Sequence, residues 1–234
     1  MPKQISVIIP VFQEAKTIQH TLNHLCHLSS FEKLEIIMVD GETSRSTLRA
    51  IPQEAVIKLS GPKGRGAQMN YGASIATGNI LLFLHADTLL PANAIKTILD
   101  AFASKNIMGG AFDLSIDAKG VFFRVIEAFV HIRTRIIRMP YGDQAIFIKK
   151  RCFHQLGGYP DIPIMEDVAL IRKIKKRRQK TIIIPSPVKT SARRWKTEGR
   201  VYCTLRNWIL LVLYSAGVSA EKIAKYYPRN SYEI

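Results

Sequence analysis

Two nearly continuous apolar runs near the start of the chain constrain its fold more than any other feature. Residues 5–9 (ISVII) and 34–39 (LEIIMV) lack the alternation of polar and apolar residues that marks a strand with one solvent-exposed face. They are typical of parallel strands covered on both faces. Between them, apolar side chains recur at helical spacing (Ile18, Leu22 and Leu25). The sequence therefore predicts a strand, a crossover helix and a second, parallel strand.

The same alternation continues to about residue 104. Residues 55–59 and 80–84 are predicted strands. Residues 65–77 and 91–104 are predicted helices, the second with a proline in its first turn. This order predicts an α/β fold, with a mixed but mainly parallel sheet flanked by helices.

The second half of the chain loses this regular rhythm. Its predicted elements are strands at 109–116, 144–150 and 180–184, helices at 121–137 and 165–179, and a helical tail after residue 200. No internal repeat or low-complexity linker divides the chain. We expect one domain over residues 1–198 and a helical C-terminal extension over residues 199–234.

The charge of the chain favours anionic partners. With 34 Lys and Arg against 18 Asp and Glu, the 234 residues carry a formal charge of +16. Phosphorylated substrates, anionic lipid and nucleic acid all fit that charge. No RNA- or DNA-binding motif is present, and the cations are not interleaved with aromatic residues, which argues against nucleic acid.

Cysteine content and hydropathy indicate where such a chain works. The three cysteines form no CxxC pair, as expected in a reducing compartment, so we expect a cytoplasmic protein. Residues 207–220 lack charge, but a membrane-spanning helix needs about 20 residues. The run at 172–180 (RKIKKRRQK) is either a solvated helix face or, with Trp208, a contact for anionic lipid on the inner face of a membrane.

Acidic residues follow two of the predicted parallel strands. Asp40 follows the second strand, and His85 and Asp87 follow the fourth. Ligands of open α/β sheets bind beyond the carboxyl ends of the strands, so these side chains are candidates for a binding site. A third acidic site, Glu166–Asp167, begins a predicted helix, where the helix dipole alone also favours acids.

Four segments in this order resemble the inverting family 2 glycosyltransferases, which have the GT-A (Rossmann-like) fold. They are SVIIPVFQEAKTI, IIMVDGETS, GRGAQMNYGASIATGNILLFLHADTLLP, and GDQAIFIKK followed by GGYPDIPIMEDVAL. The resemblance runs from about residue 5 to 195. Single short motifs recur by chance, but four at plausible spacing are specific.

The resemblance implies a role for each matching position on the donor side. The positions that line the nucleotide pocket or run under its phosphates are Pro10, Glu14, Asp40, Arg65, Gly66 and Asn70. Among them, Asp40 matches the acid that accepts a hydrogen bond from the base. The element SARRW resembles a late basic segment of some members, which implies that Arg193 and Arg194 support the diphosphate.

The resemblance also implies the catalytic and metal-binding residues. His85-Ala86-Asp87 falls where the family has Asp-X-Asp, so Asp87, with His85, is the expected ligand of Mn²⁺ or Mg²⁺. Glu166–Asp167 matches the family's Glu-Asp pair, in which Asp167 is the general base. Carboxylate oxygen suits a hard divalent ion that neutralises a departing diphosphate.

The expected reaction is therefore transfer of a sugar, with inversion, from a nucleotide-diphospho-sugar to an acceptor hydroxyl. Uridine is the expected nucleoside. Two sites differ from the family pattern: His85 replaces the first acid of Asp-X-Asp, and Glu42 and Arg45 alter the loop after the second strand. The replacement at His85 leaves open a non-catalytic protein that binds polyanions or membranes. Nucleotidyl transfer ranks last, because IPVFQEAKTI lacks the glycines it needs.

Overall fold

A computed structural model describes residues 3–52, 54–104 and 106–227. The strands are β1 (Ile5–Val11), β2 (Leu34–Asp40), β3 (Val56–Ser60), β4 (Ile80–Phe83), β5 (Thr88–Leu89), β6 (Gly109–Asp117), β7 (Phe147–Lys149) and β8 (Thr181–Ser191). The helices are α1 (Ile18–Cys26), α2 (Ser46–Arg49), α3 (Arg65–Ile75), α4 (Ala94–Ser104), α5 (Val121–Ile137), α6 (Lys150–Gln155), α7 (Glu166–Lys176), α8 (Arg193–Glu198), α9 (Arg200–Ser215) and α10 (Ala220–Ala224).

All of these strands belong to one mixed sheet in the order β3-β2-β1-β4-β7-β6-β8-β5. Strands β3, β2, β1 and β4 are mutually parallel, β7 is antiparallel to β4 and to β6, and β8 is parallel to β6. The carboxyl ends of six strands therefore lie at one edge of the sheet. This arrangement confirms the predicted α/β fold with a mainly parallel sheet.

Helices cover both faces of the sheet, as the continuous apolar runs predict. Along β1, Ile5 and Val7 pack into a core with Leu22 and Leu25 of α1. The next residue, Ile8, points to the opposite face, into a core with α3, α6 and α7. Every residue of β1 and β2 is buried, because each strand has a hydrophobic layer on both sides.

Strand β8 extends well beyond its predicted end at residue 184. Its pairing with β6 shifts between Phe112 and Asp113, and Pro185 falls in that irregularity. Pro185 and Pro187 both precede the residues of β8 that pair with β5. The sheet therefore tolerates the missing backbone N–H groups of these two prolines. The extension ends beside Asp87, whose carbonyl accepts a hydrogen bond from the N–H of Ser191 at 3.1 Å.

The C-terminal helices pack onto the loop that precedes α7. Leu210 of α9 and Ile223 of α10 form a small core with Ile164. Among the described residues, no helix has the length and hydropathy that crossing a bilayer requires. The division at residues 198 and 199 stays a prediction.

Candidate functional site

A cavity of about 220 Å³ opens at the edge of the sheet where β4 and β8 end. The predicted site residues that line it are Arg65, His85, Asp87, Asp167 and Arg194. The predicted residues that lie outside its wall are Pro10, Glu14, Asp40, Gly66, Asn70, Glu166 and Arg193. Further lining residues include Tyr141, Asp143, Trp195, Asn207 and Tyr227.

Gly142 brings the His85 and Asp167 side chains together. Its backbone N–H donates a hydrogen bond to Oδ2 of Asp167 at 2.6 Å. A Cβ at this glycine would lie 2.9 Å from Nε2 of His85 and 3.2 Å from Oδ2 of Asp167. The absence of a side chain at Gly142 therefore leaves room for an imidazole and a carboxylate on one wall of the cavity.

Met165 directs Asp167 towards the cavity through an unusual backbone conformation. It precedes α7 with a φ of 65° and a ψ of 19°, in the left-handed region. A residue with a side chain adopts that region at a cost, and such positions cluster at functional sites. The turn starts α7 so that Asp167 faces the cavity, while the preceding Glu166 points into the interior.

His85 is held neutral by its surroundings. Burial lowers the pKa of the imidazole to about 3, and the positive charges of Arg65 and Arg194 act in the same direction. A neutral imidazole offers one nitrogen lone pair to a metal or a ribose hydroxyl. The replacement of an acid by His85 therefore removes a negative charge and keeps a ligand atom.

An arginine connects the carboxylates that follow β1 and β4. The guanidinium of Arg193 donates hydrogen bonds to both oxygens of Glu14, at 2.5 and 2.9 Å. Its Nη2 also lies 3.8 Å from Oδ2 of Asp87. Burial raises the pKa of Asp87, and the charge of Arg193 opposes that rise. Asp87 thus already faces a cation at the place where a diphosphate and its metal are expected.

The metal ligands that the sequence predicts form an open, partial set. Asp87 supplies a carboxylate that is 26% exposed, and His85 on the same cavity wall supplies a neutral nitrogen. Among the described residues, no three His, Cys, Asp or Glu side chains are placed to hold a metal together. This set fits Mg²⁺ or Mn²⁺ held by one carboxylate and by the phosphates of a substrate, rather than an all-protein cage.

Asp40 is fully buried at the end of β2, and it and Gln68 each have a buried side-chain oxygen with no hydrogen-bond partner among the described residues. Its Oδ1 accepts a hydrogen bond from the N–H of Glu42 at 2.9 Å, whereas its Oδ2 has no partner among the described residues. Gln68 donates to the carbonyls of Val11 and Val39, and its own Oε1 is likewise unpaired. Buried acceptors are rarely left unpaired, so this pair suits a ligand that donates N–H groups.

Three predicted residues brace the loop that leads to α7 instead of lining the cavity. Glu166 is 2% exposed and forms an ion pair with Arg65, which does reach the cavity. Asn70 exchanges two hydrogen bonds of 2.9 Å with the backbone of Tyr159. A Cβ on Gly66 would lie 3.1 Å from the carbonyl oxygen of Pro160, so α3 packs closely against this loop.

Asp143 lines the cavity, although it is not among the site residues that the sequence predicts. Its Oδ1 is buried without a hydrogen-bond partner among the described residues. Burial raises its pKa to about 6, and the nearby charge of Arg133 opposes the rise. Arg133 also stacks on Tyr141, 3.6 Å from the ring centroid, so the turn is firmly held. The resemblance places the segment GDQ (142–144) on the acceptor side, but the same sequence also fits an ordinary turn.

We expect Asp143→Asn to stabilise the protein at pH 8 but not at pH 4. The folded-state pKa of about 6 lies above the usual value of about 3.9, so ionising Asp143 costs stability as the pH rises through this window. Asn mimics the protonated acid, so the gain at pH 8 is about 3 kcal/mol. Urea unfolding of both proteins at the two pH values measures it. The exposed Asp161, changed to Asn, is the control; an equal effect at both pH values would contradict the assignment.

Comparison with known proteins places this site in a family. The model of the glycosyl transferase family 2 matches residues 6–157, which include Asp40, His85 and Asp87. An uncharacterized glycosyltransferase of Nostoc sp. is 26% identical over 120 residues, 48% of this chain and 37% of that protein. The chain thus spans little more than a third of that relative.

Two solved structures share the fold. The chain resembles residues 1–349 of TarS of S. aureus in complex with UDP-GlcNAc, with a TM-score of 0.65 and 16% identity over 80% of this chain and 58% of that TarS fragment. It also resembles the mannosyltransferase PcManGT of Pyrobaculum calidifontis in complex with GDP-Man and Mn²⁺, with a TM-score of 0.60 and 19% identity over 82% of this chain and 57% of PcManGT. These likenesses confirm the expected GT-A-like fold. Because the family model spans well over half of the sequence, the chain belongs to glycosyl transferase family 2.

Proposed function

We propose that the protein is an inverting, metal-dependent glycosyltransferase that moves a sugar from a uridine-diphospho-sugar to an acceptor hydroxyl. The observation that carries the proposal is the convergence of Asp87, His85 and Asp167 on one cavity at the carboxyl edge of the sheet. A metal-binding carboxylate and a candidate base on one cavity are the parts that such a transfer needs.

On the donor side, Asp40 and Gln68 bind the base. A uridine base has one N–H donor, at N3 of the ring, and the unpaired Oδ2 of Asp40 suits it. Asp40 has no exposed surface. The loop after β2 covers it, and Glu42 of that loop accepts a hydrogen bond from Gln13 of the loop after β1. This contact has to open for the base to enter. Binding of UDP-GlcNAc by TarS supports uridine, whereas binding of GDP-Man by PcManGT supports guanosine as the competing choice.

Asp87 and His85 are the residues that would hold Mn²⁺ or Mg²⁺. A bound divalent ion would supply positive charge to offset the negative charge of the departing diphosphate. Arg193 and Arg194 lie next to this position and support the same charge. His85 stays neutral, so it adds a ligand atom or a ribose contact without a carboxylate charge.

Asp167 accepts the proton of the acceptor hydroxyl. The Gly142 N–H orients its carboxylate, and direct attack on the sugar from that side inverts the anomeric carbon. Glu166, predicted beside it as catalytic, acts as a positioning residue because it holds Arg65. Asp143 faces the acceptor from the opposite turn, where its unpaired oxygen accepts a hydroxyl hydrogen bond.

The expected cytoplasmic location, with attachment to the inner face of a membrane, stays a prediction. Exposed cations along α7 and the half-exposed Trp208 support it. The alternative of a non-catalytic polyanion-binding protein rested on the replacement of an acid by His85. That replacement is compatible with metal binding, because the neutral imidazole of His85 has a nitrogen lone pair and lines the cavity.

We expect UDP with Mn²⁺ to raise the melting temperature more than any other nucleoside diphosphate. At a concentration about 100 times the Kd, a ligand adds about 2.7 kcal/mol, which is about 5–10 °C for a chain of this size. Thermal-shift measurements with UDP, GDP, ADP and CDP, each with Mn²⁺ or EDTA, provide the comparison, with UMP as the control that lacks the second phosphate. A larger shift with GDP would overturn the uridine assignment, and no shift with any of them would overturn the function.

A further inference from the structure

Helix α9 presents an apolar surface outward and a charge inward, the reverse of an ordinary surface helix. From residue 201 to 213, every exposed residue of α9 is aliphatic or aromatic, including Val201, Leu205, Trp208, Ile209 and Val212. These side chains are 45–66% exposed. The inward face carries Arg206, which is 7% exposed and paired with Glu198 at 2.5 Å. Burial against residues 3–52, 54–104 and 106–227 therefore does not explain the apolar face.

Helix α5 lies beside α9 and widens the apolar surface. The rings of Phe129 and Trp208 are 5.4 Å apart, and the guanidinium of Arg200 lies 5.3 Å from the ring of Phe123. The exposed apolar residues of α5 at helical spacing are Val121, Val125, Phe129, Ile132 and Ile136, 47–79% exposed, and exposed Arg124, His131 and Arg135 lie among them on the same helix. Together the two helices form one strip, the α5–α9 strip, which is about 24 Å long.

Cations gather at the carboxyl end of the α5–α9 strip. Lys175 of α7 donates a hydrogen bond to the carbonyl of Ile137 at the end of α5, at 2.8 Å. Arg172 of α7 bonds Oγ of Ser215 at the end of α9, also at 2.8 Å. The residues that follow, Lys176 to Arg178, are exposed. Helix α9 contains no acidic residue, and Glu127 of α5 is paired with Arg124.

We propose that the α5–α9 strip docks into the interfacial region of an anionic bilayer, with the cations of α7 against the headgroups. Apolar and aromatic side chains beside exposed Lys and Arg are the composition that such docking needs. A second copy of the chain is the poorer partner, because each copy carries +16, helix α9 has no carboxylate, and Glu127 of α5 is already paired with Arg124. The proposal is independent of the sugar-transfer chemistry.

Docking of the α5–α9 strip also sets the position of the cavity relative to the bilayer. Asn207 and Leu211 of α9 line the cavity, and Trp208 between them is exposed on the strip. One helix therefore forms both a wall of the cavity and part of the bilayer contact. The docked chain holds its cavity at the level of the headgroups.

Vesicle co-sedimentation of the full chain tests the proposal. We expect binding to phosphatidylcholine vesicles that contain phosphatidylglycerol, weaker binding without it, and loss at high salt. Ile132→Ser with Ile209→Ser should weaken binding by at least about tenfold. Lys176→Ser with Arg177→Ser should weaken it by about fivefold per cation. The matched control, Ile57→Ser with Ile75→Ser, removes exposed apolar residues elsewhere and should bind like the unaltered chain.

Two further readouts separate this proposal from a folding defect and from the transferase function. Tryptophan emission should shift to the blue on vesicle binding, and the shift should disappear in Trp208→Phe. Nucleotide-induced thermal shifts should be the same in the strip variants as in the unaltered chain. Unchanged vesicle binding by the strip variant, equal binding to neutral vesicles, or a stable dimer that the strip variant dissociates would each overturn the proposal.

Discussion

Asp167→Asn should abolish sugar transfer while leaving donor binding unchanged. The amide oxygen of Asn still accepts the hydrogen bond that Gly142 donates at 2.6 Å, and the variant loses only the bond that the N–H of Val168 donates to the other carboxylate oxygen at 2.7 Å. Asn has no basic oxygen to take the acceptor's proton, and loss of a general base costs about 10²–10⁴ in rate. UDP release from the donor, measured in a coupled assay, gives the rate, and the thermal shift with UDP and Mn²⁺ gives the binding.

The control for this variant is Asp161→Asn, which changes an exposed carboxylate in the loop before α7. It should retain full activity. Turnover of Asp167→Asn within tenfold of the unaltered enzyme would remove Asp167 from the base role. Asp143, on the opposite turn of the same cavity, would then be the remaining carboxylate to examine.

Asp87→Asn should remove metal-dependent donor binding. Asp87 is the carboxylate that faces both the cavity and Arg193, and an amide is a poor ligand for a hard divalent ion. Loss of an outer-shell partner already costs a metal site about 10–100-fold in affinity, so loss of the ligand itself should cost more. Electron paramagnetic resonance of free Mn²⁺, titrated with protein in the presence of UDP, measures the bound fraction.

The matched change at an exposed acid is Asp117→Asn, whose side chain is 67% exposed at the end of β6. It should bind Mn²⁺ with UDP like the unaltered protein. If Asp87→Asn retained Mn²⁺ with unchanged affinity, the metal would lie elsewhere, and the match of His85-Ala86-Asp87 to the family element would lose its meaning.

The sheet was predictable from sequence because its signal is local and strong. The runs at 5–9 and 34–39 have no polar alternation, so they required layers on both faces, and the structure has them. Placing Asp40 and Asp87 at one edge followed from the parallel order of the strands. Helix α5 begins and ends as its helical spacing predicts, at Val121 and Ile137.

Local sequence patterns did not predict contacts between residues that are distant in the sequence. Pairing of Arg193 with Glu14 joins residues 179 positions apart, and it depends on β8 running on through two prolines that ordinarily end a strand. Asp143 belongs to the GDQ segment, which the resemblance places on the acceptor side but which also fits an ordinary turn, and its position in the cavity is seen only in the folded chain. Glu166 and Asp167 are neighbours in sequence. The left-handed backbone conformation of Met165 starts the helix so that Glu166 is buried against Arg65 while Asp167 faces the cavity.

Calorimetric titration of UDP into the full chain, first with Mn²⁺ and then with EDTA, tests most directly whether this edge of the sheet is a metal-dependent nucleotide-sugar site. We predict one binding site per chain with Mn²⁺ and no measurable heat of binding with EDTA. Equal binding under both conditions, or none under either, would contradict the metal-dependent site built on Asp87.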